Sequence, residues 1–197
     1  MTKEKKSKLI VGEWNTKTIV AVAIGAALYG VLMVYGGIPI FSNTQLSAAM
    51  IVPVIVGGLF GTLPAVVSCA VGNVLADLIG GWGMWFDWSI GNGVMAFFVA
   101  LLPLYGVRIK EGIFTVKQAV IYSVLCVVGN VVAFGLLTPV LSHFFYAADL
   151  NVTLLQALFA SAGNSLVLIV VGIPLLLLLA KRYAAKTNLT EDMSEEY

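Results

Sequence analysis

The chain has 197 residues, of which 60% are hydrophobic and only 11% charged, with a formal net charge of +1 and a mean hydropathy of +0.99. A soluble domain carries about a quarter charged residues, so this composition excludes one and marks an integral membrane protein. At roughly 20 residues per span, the length suffices for one bundle of about six spans with short loops, and it leaves no room for a soluble catalytic domain.

Six apolar runs predict an all-α integral membrane protein with six transmembrane helices in a single membrane domain over 1–197: Thr18–Gly36, Leu46–Gly61, Pro64–Ile79, Ser89–Val107, Lys117–Leu141 and Thr153–Ala180. Residues 1–17 and 185–197 are left as tails. Lys3, Lys5, Lys6, Lys8 and Lys17 precede the first run, Arg108, Lys110 and Lys117 fall in the central break, and Lys181, Arg182 and Lys186 follow the last run. Alternating the spans puts all of these on one side, and the opposite side holds Asp77, Asp87, Asp149 and His143 with no Lys or Arg. Basic loops stay in the cytoplasm, so both termini are expected there and the number of spans is even. The basic start followed by Thr18–Gly36 is not read as a signal peptide, because the apolar run is too long and five more follow it.

In the first span, Ala23, Ala26, Ala27 and Gly30 share one helical face, a flat stripe on which another helix can pack closely. Spacing alone allows either contact within the same bundle or docking of a separate membrane subunit. The second span is short. Thr62-Leu63-Pro64 makes a tight cytoplasmic turn before the third, with Thr62 placed to cap and Pro64 in the first turn. Pro53, Pro103, Pro139 and Pro174 lie within spans and predict kinks. Cys69 and Cys126, also within spans, are expected to pack as small apolar side chains.

Gly-Asn pairs recur in the last four spans, at Gly72-Asn73, Gly91-Asn92, Gly129-Asn130 and Gly163-Asn164. An amide facing hydrocarbon is costly, so Asn73, Asn92, Asn130 and Asn164 must point inward, to one another or to a cavity. Asp77 follows Asn73 by four residues on the same face and is the only acid within an expected span. With no basic residue on its side, it must meet water, an amide or hydroxyl, or a ligand. Just beyond it, Gly80-Gly-Trp-Gly-Met-Trp-Phe-Asp-Trp88 places three of the four tryptophans at the outer surface. Such rings form interfacial belts, and beside three glycines they also suit a flexible wall around a flat heterocycle. The loops Gly37–Gln45 and His143–Val152, the latter with Phe144, Phe145 and Tyr146, are placed to close over it.

One histidine and no Cys/His cluster give no protein metal site of the zinc type, and no Walker motif is present. No catalytic residue, cofactor or nucleic-acid partner is expected, the basic N-terminus being accounted for by topology and lipid headgroups.

The run Ala21–Gly30, the pattern Asn73-x3-Asp77, Gly81-Trp82, Trp85, Trp88 and the closing Gly172-Ile-Pro174 together resemble the substrate-binding S components of energy-coupling factor (ECF) vitamin transporters, in the riboflavin-transporter-like branch. The resemblance covers about residues 16–183. It departs at Asn73 and Asn164, where related sequences carry His and Asp, and the departure bears on the substrate more than on the role. The resemblance implies a vitamin-like ligand captured from outside the prokaryotic plasma membrane, with Asn73, Asp77, Trp82, Trp85, Trp88, Asn92, Asn130 and Asn164 in the binding pocket. It also implies that Ala23, Ala26, Ala27 and Gly30 dock on a membrane coupling subunit served by two ATPase subunits, so that ATP is hydrolysed on partner chains. An outer surface without Lys or Arg disfavours polyanions, which leaves riboflavin, a pyrimidine precursor of thiamine, or a corrinoid. An autonomous secondary carrier or channel for a small heterocyclic solute is the alternative reading.

Overall fold

The computed structural model describes residues 10–42 and 44–195, with residues 186–195 described by backbone alone. Lys3, Lys5, Lys6, Lys8 and Asn43 lie outside these residues. The first helix, α1 (Thr16–Tyr35), starts where the Asn15 side chain accepts from the Thr18 N–H at 3.1 Å, and it stops at Gly36. There the chain departs from an all-helical plan. Strands β1 (Gly37–Phe41) and β2 (Thr44–Ser47) form an antiparallel hairpin, with Ile38 opposite Leu46 and Pro39 opposite Gln45. A 3₁₀ turn, Ala48–Met50, opened by the Ser47 hydroxyl accepting from the Ala49 N–H, then feeds α2 (Ile51–Phe60). The expected second span, Leu46–Gly61, is thus part strand and part short helix.

Gly61, at φ +107°, turns the chain into α3 (Thr62–Gly80). Thr62 does not cap this helix as expected; its hydroxyl instead donates across to the carbonyl of Ala100 at 2.7 Å. Helix α4 (Phe86–Val99) ends in a 3₁₀ turn, Leu102–Tyr105, that begins beside Pro103. Helix α5 (Val116–Asn130), opened by a capping box between Thr115 and Gln118, runs on through a π-helical segment, Val131–Leu137, into α6 (Thr138–Tyr146). Pro139 lacks an N–H and cannot continue the regular ladder, and the Thr138 hydroxyl takes the carbonyl of Ala133 at 2.9 Å. Helix α7 (Leu150–Val170) is capped by Asp149 and is followed at once by α8 (Gly172–Glu195).

Five stretches are long and apolar enough to cross a membrane: Thr16–Tyr35, Thr62–Gly80, Phe86–Tyr105, Val116–Tyr146 and Leu150–Ala185, with Ala48–Phe60 as a shorter apolar helix. They pack through small residues. A Cβ on Gly72 of α3 would stand 2.6 Å from Tyr29 Cβ, and one on Gly163 of α7 would stand 2.9 Å from Leu46 Cδ2 of the hairpin; Gly91 meets Thr138 and Phe134, and Gly129 meets Phe98. Each glycine of a Gly-Asn pair is therefore a point of close approach between elements, as expected where dispersion rather than the hydrophobic effect holds helices together. Cys69 and Cys126 are buried and unpaired.

The small-residue face of α1 divides in two. Ala26 and Gly30 are buried against α3, whereas Ala23 and Ala27 are exposed alongside Ile19, Val20, Ile24, Leu28 and Val31. The two ends of the bundle also differ in kind. Gly12 lies against Phe60 and Pro64, Lys110 sits over the Phe60 ring at 5.6 Å, and Gly112 packs on Ala184, so the central basic loop gathers at one end with the segments around residues 12, 60–64 and 180–184. The hairpin and the loops at 81–86 and 147–149 form the other.

Candidate functional site

At the hairpin end the bundle encloses a cavity of about 630 Å³. Its walls come from α3, α4, the π-helical segment, α6, α7 and the hairpin. Asn73, Asp77, Trp82, Trp85, Trp88, Asn92 and Asn164 all border it; Asn130 does not. The Asn130 amide donates to the carbonyl of Cys126 one turn earlier at 2.8 Å, and its oxygen is buried without a partner. It is a helix-internal amide rather than part of this wall.

The other three asparagines differ in what they are bonded to. The Tyr29 hydroxyl donates to Asn92 Oδ1 at 2.5 Å. Asn92 Nδ2 donates to Asn73 Oδ1 at 2.9 Å and to the Trp88 carbonyl at 3.0 Å, and Asn73 Nδ2 donates to the Ser89 hydroxyl at 3.1 Å. This chain ties α1, α3 and α4 together, each link contributing about 0.5–1.5 kcal/mol. Asn164 makes no side-chain hydrogen bond to any described residue, although it is only 7% exposed, and its amide faces the cavity unengaged. On the same helix as Asn164, Gln156 reaches the hairpin, Nε2 donating to the Ser42 carbonyl at 3.2 Å, while Phe41 stacks on Phe159 with ring centroids 4.7 Å apart. The hairpin is thereby fastened over α7.

The tryptophan loop is built rather than slack. Gly81 and Gly83 adopt φ of +65° and +86°, conformations open to glycine, and turn the chain back on the end of α3. Asp77 Oδ2 accepts from the Trp85 N–H at 2.9 Å, and the Trp85 indole N–H donates to the Trp82 carbonyl at 2.9 Å. From α6 the Tyr146 hydroxyl accepts from the Phe86 N–H at 3.0 Å and donates to the Met84 carbonyl at 3.2 Å, and its ring meets Trp85 edge-on at 4.8 Å. Trp88 packs on Phe134 of the π-helical segment, centroids 5.6 Å apart. The expectation of a flexible loop is corrected by these bonds. Phe144, expected to close over the pocket, is 84% exposed and does not border it; Tyr146 is the residue of that segment that reaches the loop.

Sequence reasoning missed Asp87, Ser142 and Gln156, all of which border the cavity, as does Gln45 at the end of the loop expected to close over it. Asp87 reads as a loop acid, yet it lies in the first turn of α4 and is fully buried, with the Ser142 hydroxyl donating to its Oδ2. The signal available was its spacing before Trp88 and Ser89, which share the next turn with Asn92.

The arrangement provides acceptors, an unengaged amide and aromatic rings in one concave space, the features of a small-molecule site. Residues 13–181 match the family described as "ECF-type riboflavin transporter, S component". Similar proteins include a UPF0397 protein of Aliivibrio salmonicida strain LFI1238, 38% identical over 180 residues that cover 90% of this chain and 97% of the relative. A UPF0397 protein of Aliivibrio fischeri strain MJ11 is 37% identical over the same shares, and one of Vibrio atlanticus strain LGP32 is 35% identical over 181 residues, 90% of this chain and 98% of the relative. No solved structure matches the chain significantly. By the extent of the family match and of its relatives, the chain is a multi-pass protein of the prokaryotic cell membrane and belongs to the ECF-type riboflavin transporter S component family, whose members serve vitamin uptake.

Proposed function

We propose that the chain is the solute-capturing subunit of an ATP-driven importer, binding a water-soluble vitamin or vitamin precursor from outside in the cavity at the hairpin end. The observation that carries this reading is the 630 Å³ cavity bordered by Asn164, Asp77 and the tryptophan loop, at the end opposite the central basic loop. Six crossings with both termini cytoplasmic agree with the basic-residue pattern, the hairpin and the short Ala48–Phe60 helix together making the second crossing. The exposed half of α1, with Ala23 and Ala27 flanked by aliphatic side chains, suits docking on a membrane coupling subunit served by two ATPases, on which the energy-yielding step occurs. The family relationship supports both partners and a solute of the riboflavin, pyrimidine-precursor or corrinoid type.

The test is reconstitution. Purified protein is expected to carry a small molecule identifiable by mass spectrometry, whose rebinding quenches tryptophan fluorescence, and Trp85→Ala is expected to diminish that quench. Uptake of the molecule into proteoliposomes is expected only with the coupling subunit, the ATPases and ATP. Accumulation by this chain alone would establish an autonomous carrier instead.

Topology gives a separate prediction. On a background lacking Cys69 and Cys126, cysteines at Gly83 and Asn151 are expected to react with impermeant maleimide from outside, and cysteines at Glu111 and Thr187 are not. Labelling of the Glu111 position from outside overturns the assignment.

A further inference from the structure

Three acids border the cavity, and no Lys, Arg or His does. Asp149 is exposed to solvent, and its Oδ1 accepts from the N–H groups of Asn151 and Val152 at 2.8 and 3.2 Å. The other two are buried. Asp77 Oδ2 accepts from the Trp85 N–H, and its Oδ1 accepts no hydrogen bond from a described residue. Asp87 is 0% exposed; the Ser142 hydroxyl donates to Oδ2, and Oδ1 is buried with no partner among the described residues.

A carboxylate withdrawn from water is costly unless opposite charge or hydrogen-bond donors compensate it. The protein leaves one oxygen of each acid without either. Asp77 borders the cavity with its second oxygen open to an occupant, and the remaining walls say what kind of group suits it. Trp82, Trp85, Trp88 and Phe134 also border the cavity, and aromatic rings attract cations and stack on flat heterocycles. A metal ion does not suit them: aromatic walls offer no ligand, and among the described residues no group of three or more His, Cys, Asp or Glu stands together.

Building on the solute-capturing reading, we infer that the cavity takes an organic cation, a flat heteroaromatic solute with positive charge on or beside its ring, drawn in by Asp77 and Asp87 and enclosed by the tryptophans. Asp77, whose free oxygen is not sealed off, makes the direct contact. Asp87 borders the same cavity, held in place by the Ser142 hydroxyl that donates to it. Riboflavin, a neutral ring system, is disfavoured on this ground, and so is any anion.

The test uses the full-length purified protein and four probes, followed by tryptophan quenching and calorimetry: thiamine and 1-methylnicotinamide as fixed cations, riboflavin and nicotinamide as neutral solutes. 1-Methylnicotinamide and nicotinamide differ by one methyl group and one charge, and the cation is expected to bind at least about tenfold more tightly, as for one charge-assisted contact. Asp77→Asn and Asp87→Asn keep the side-chain shape and remove the charge. Each is expected to weaken cation binding roughly 10- to 150-fold and neutral-probe binding by less, so that the preference for 1-methylnicotinamide over nicotinamide narrows. A neutral probe that binds as tightly as its charged counterpart overturns the inference, as do asparagine variants that bind the cations like the parent, or failure of both cations to bind. The solute-capturing reading is judged separately: a neutral molecule that co-purifies and is taken up with ATP sinks the cationic inference and upholds that reading, whereas the absence of any co-purifying or transported solute sinks both.

Discussion

Leucine in place of Ala27 is expected to abolish ATP-driven uptake while leaving solute binding intact, and leucine in place of Gly30 is expected to damage the protein itself. The two residues lie three apart on α1 and look equivalent in the sequence, but they face different surroundings. A Cβ on Gly30 would already stand 3.0 Å from Leu75 Cβ, 3.2 Å from the Gly72 carbonyl oxygen and 3.3 Å from the Ala76 nitrogen. Overpacking of this kind costs about 1–3 kcal/mol or more, since backbone atoms of α3 cannot move aside. Ala27 is exposed, next to Ile24 and Leu28, so the extra atoms of leucine meet only lipid in the isolated subunit. In an assembled importer they would hold the partner helix away from a surface that works by close approach. The measurements are thermal unfolding and solute binding of each purified variant, then co-purification with the coupling subunit. If Ala27→Leu assembles and transports normally, the exposed face of α1 is a lipid face and the docking proposal fails.

Burial of half of that stripe was the part the sequence could not settle. Four small residues on one face say that close packing occurs and are silent on which neighbour does it, because Gly72 and Leu75 are brought opposite them only by the fold. Long apolar runs were legible for a simpler reason: five of them are continuous enough to carry their own signal. The second was misread because Leu46 is apolar and adjoins the run, while the hairpin that claims it is held by tertiary contacts, Ile40 and Leu46 on Gly163 and Phe41 on Phe159. Local preference within residues 37–47 does not contain those contacts. At the site, Asp77 and the tryptophans announced themselves by type and spacing. Asp87 did not, since an acid in a glycine- and tryptophan-rich loop looks solvated until the π-helical turn of α5 sets Ser142 against it.

Alanine in place of Asn92 is expected to cost stability, and alanine in place of Asn164 to cost binding, although both belong to Gly-Asn pairs and both border the cavity. Asn92 is 2% exposed and is the hub of the network, accepting from Tyr29 and donating to Asn73 and the Trp88 carbonyl. Its removal strands the hydroxyl of Tyr29, itself 0% exposed, and the oxygen of Asn73. Each buried polar group left unpaired costs about 1–3 kcal/mol, so the variant loses on the order of 2–6 kcal/mol, a large part of the stability of a domain. Tyr29→Phe together with Asn92→Leu removes the buried hydroxyl along with its acceptor and is expected to recover the part of that loss due to Tyr29, while the Asn73 oxygen stays unpaired. Asn164 has no hydrogen bond within the described protein to lose, so its alanine variant is expected to unfold at the parent's temperature. Its amide is spent instead on the solute, at about 1–3 kcal/mol or roughly a 5- to 150-fold loss of affinity. Thermal unfolding without solute, followed by titration of the solute that co-purifies with the parent, separates the two. Should Asn164→Ala bind as tightly as the parent while Asn92→Ala unfolds normally, the amide with free hydrogen-bonding groups is not a ligand contact, the bonded one is not a structural tie, and the division of the cavity wall into a scaffold and a recognition surface is wrong.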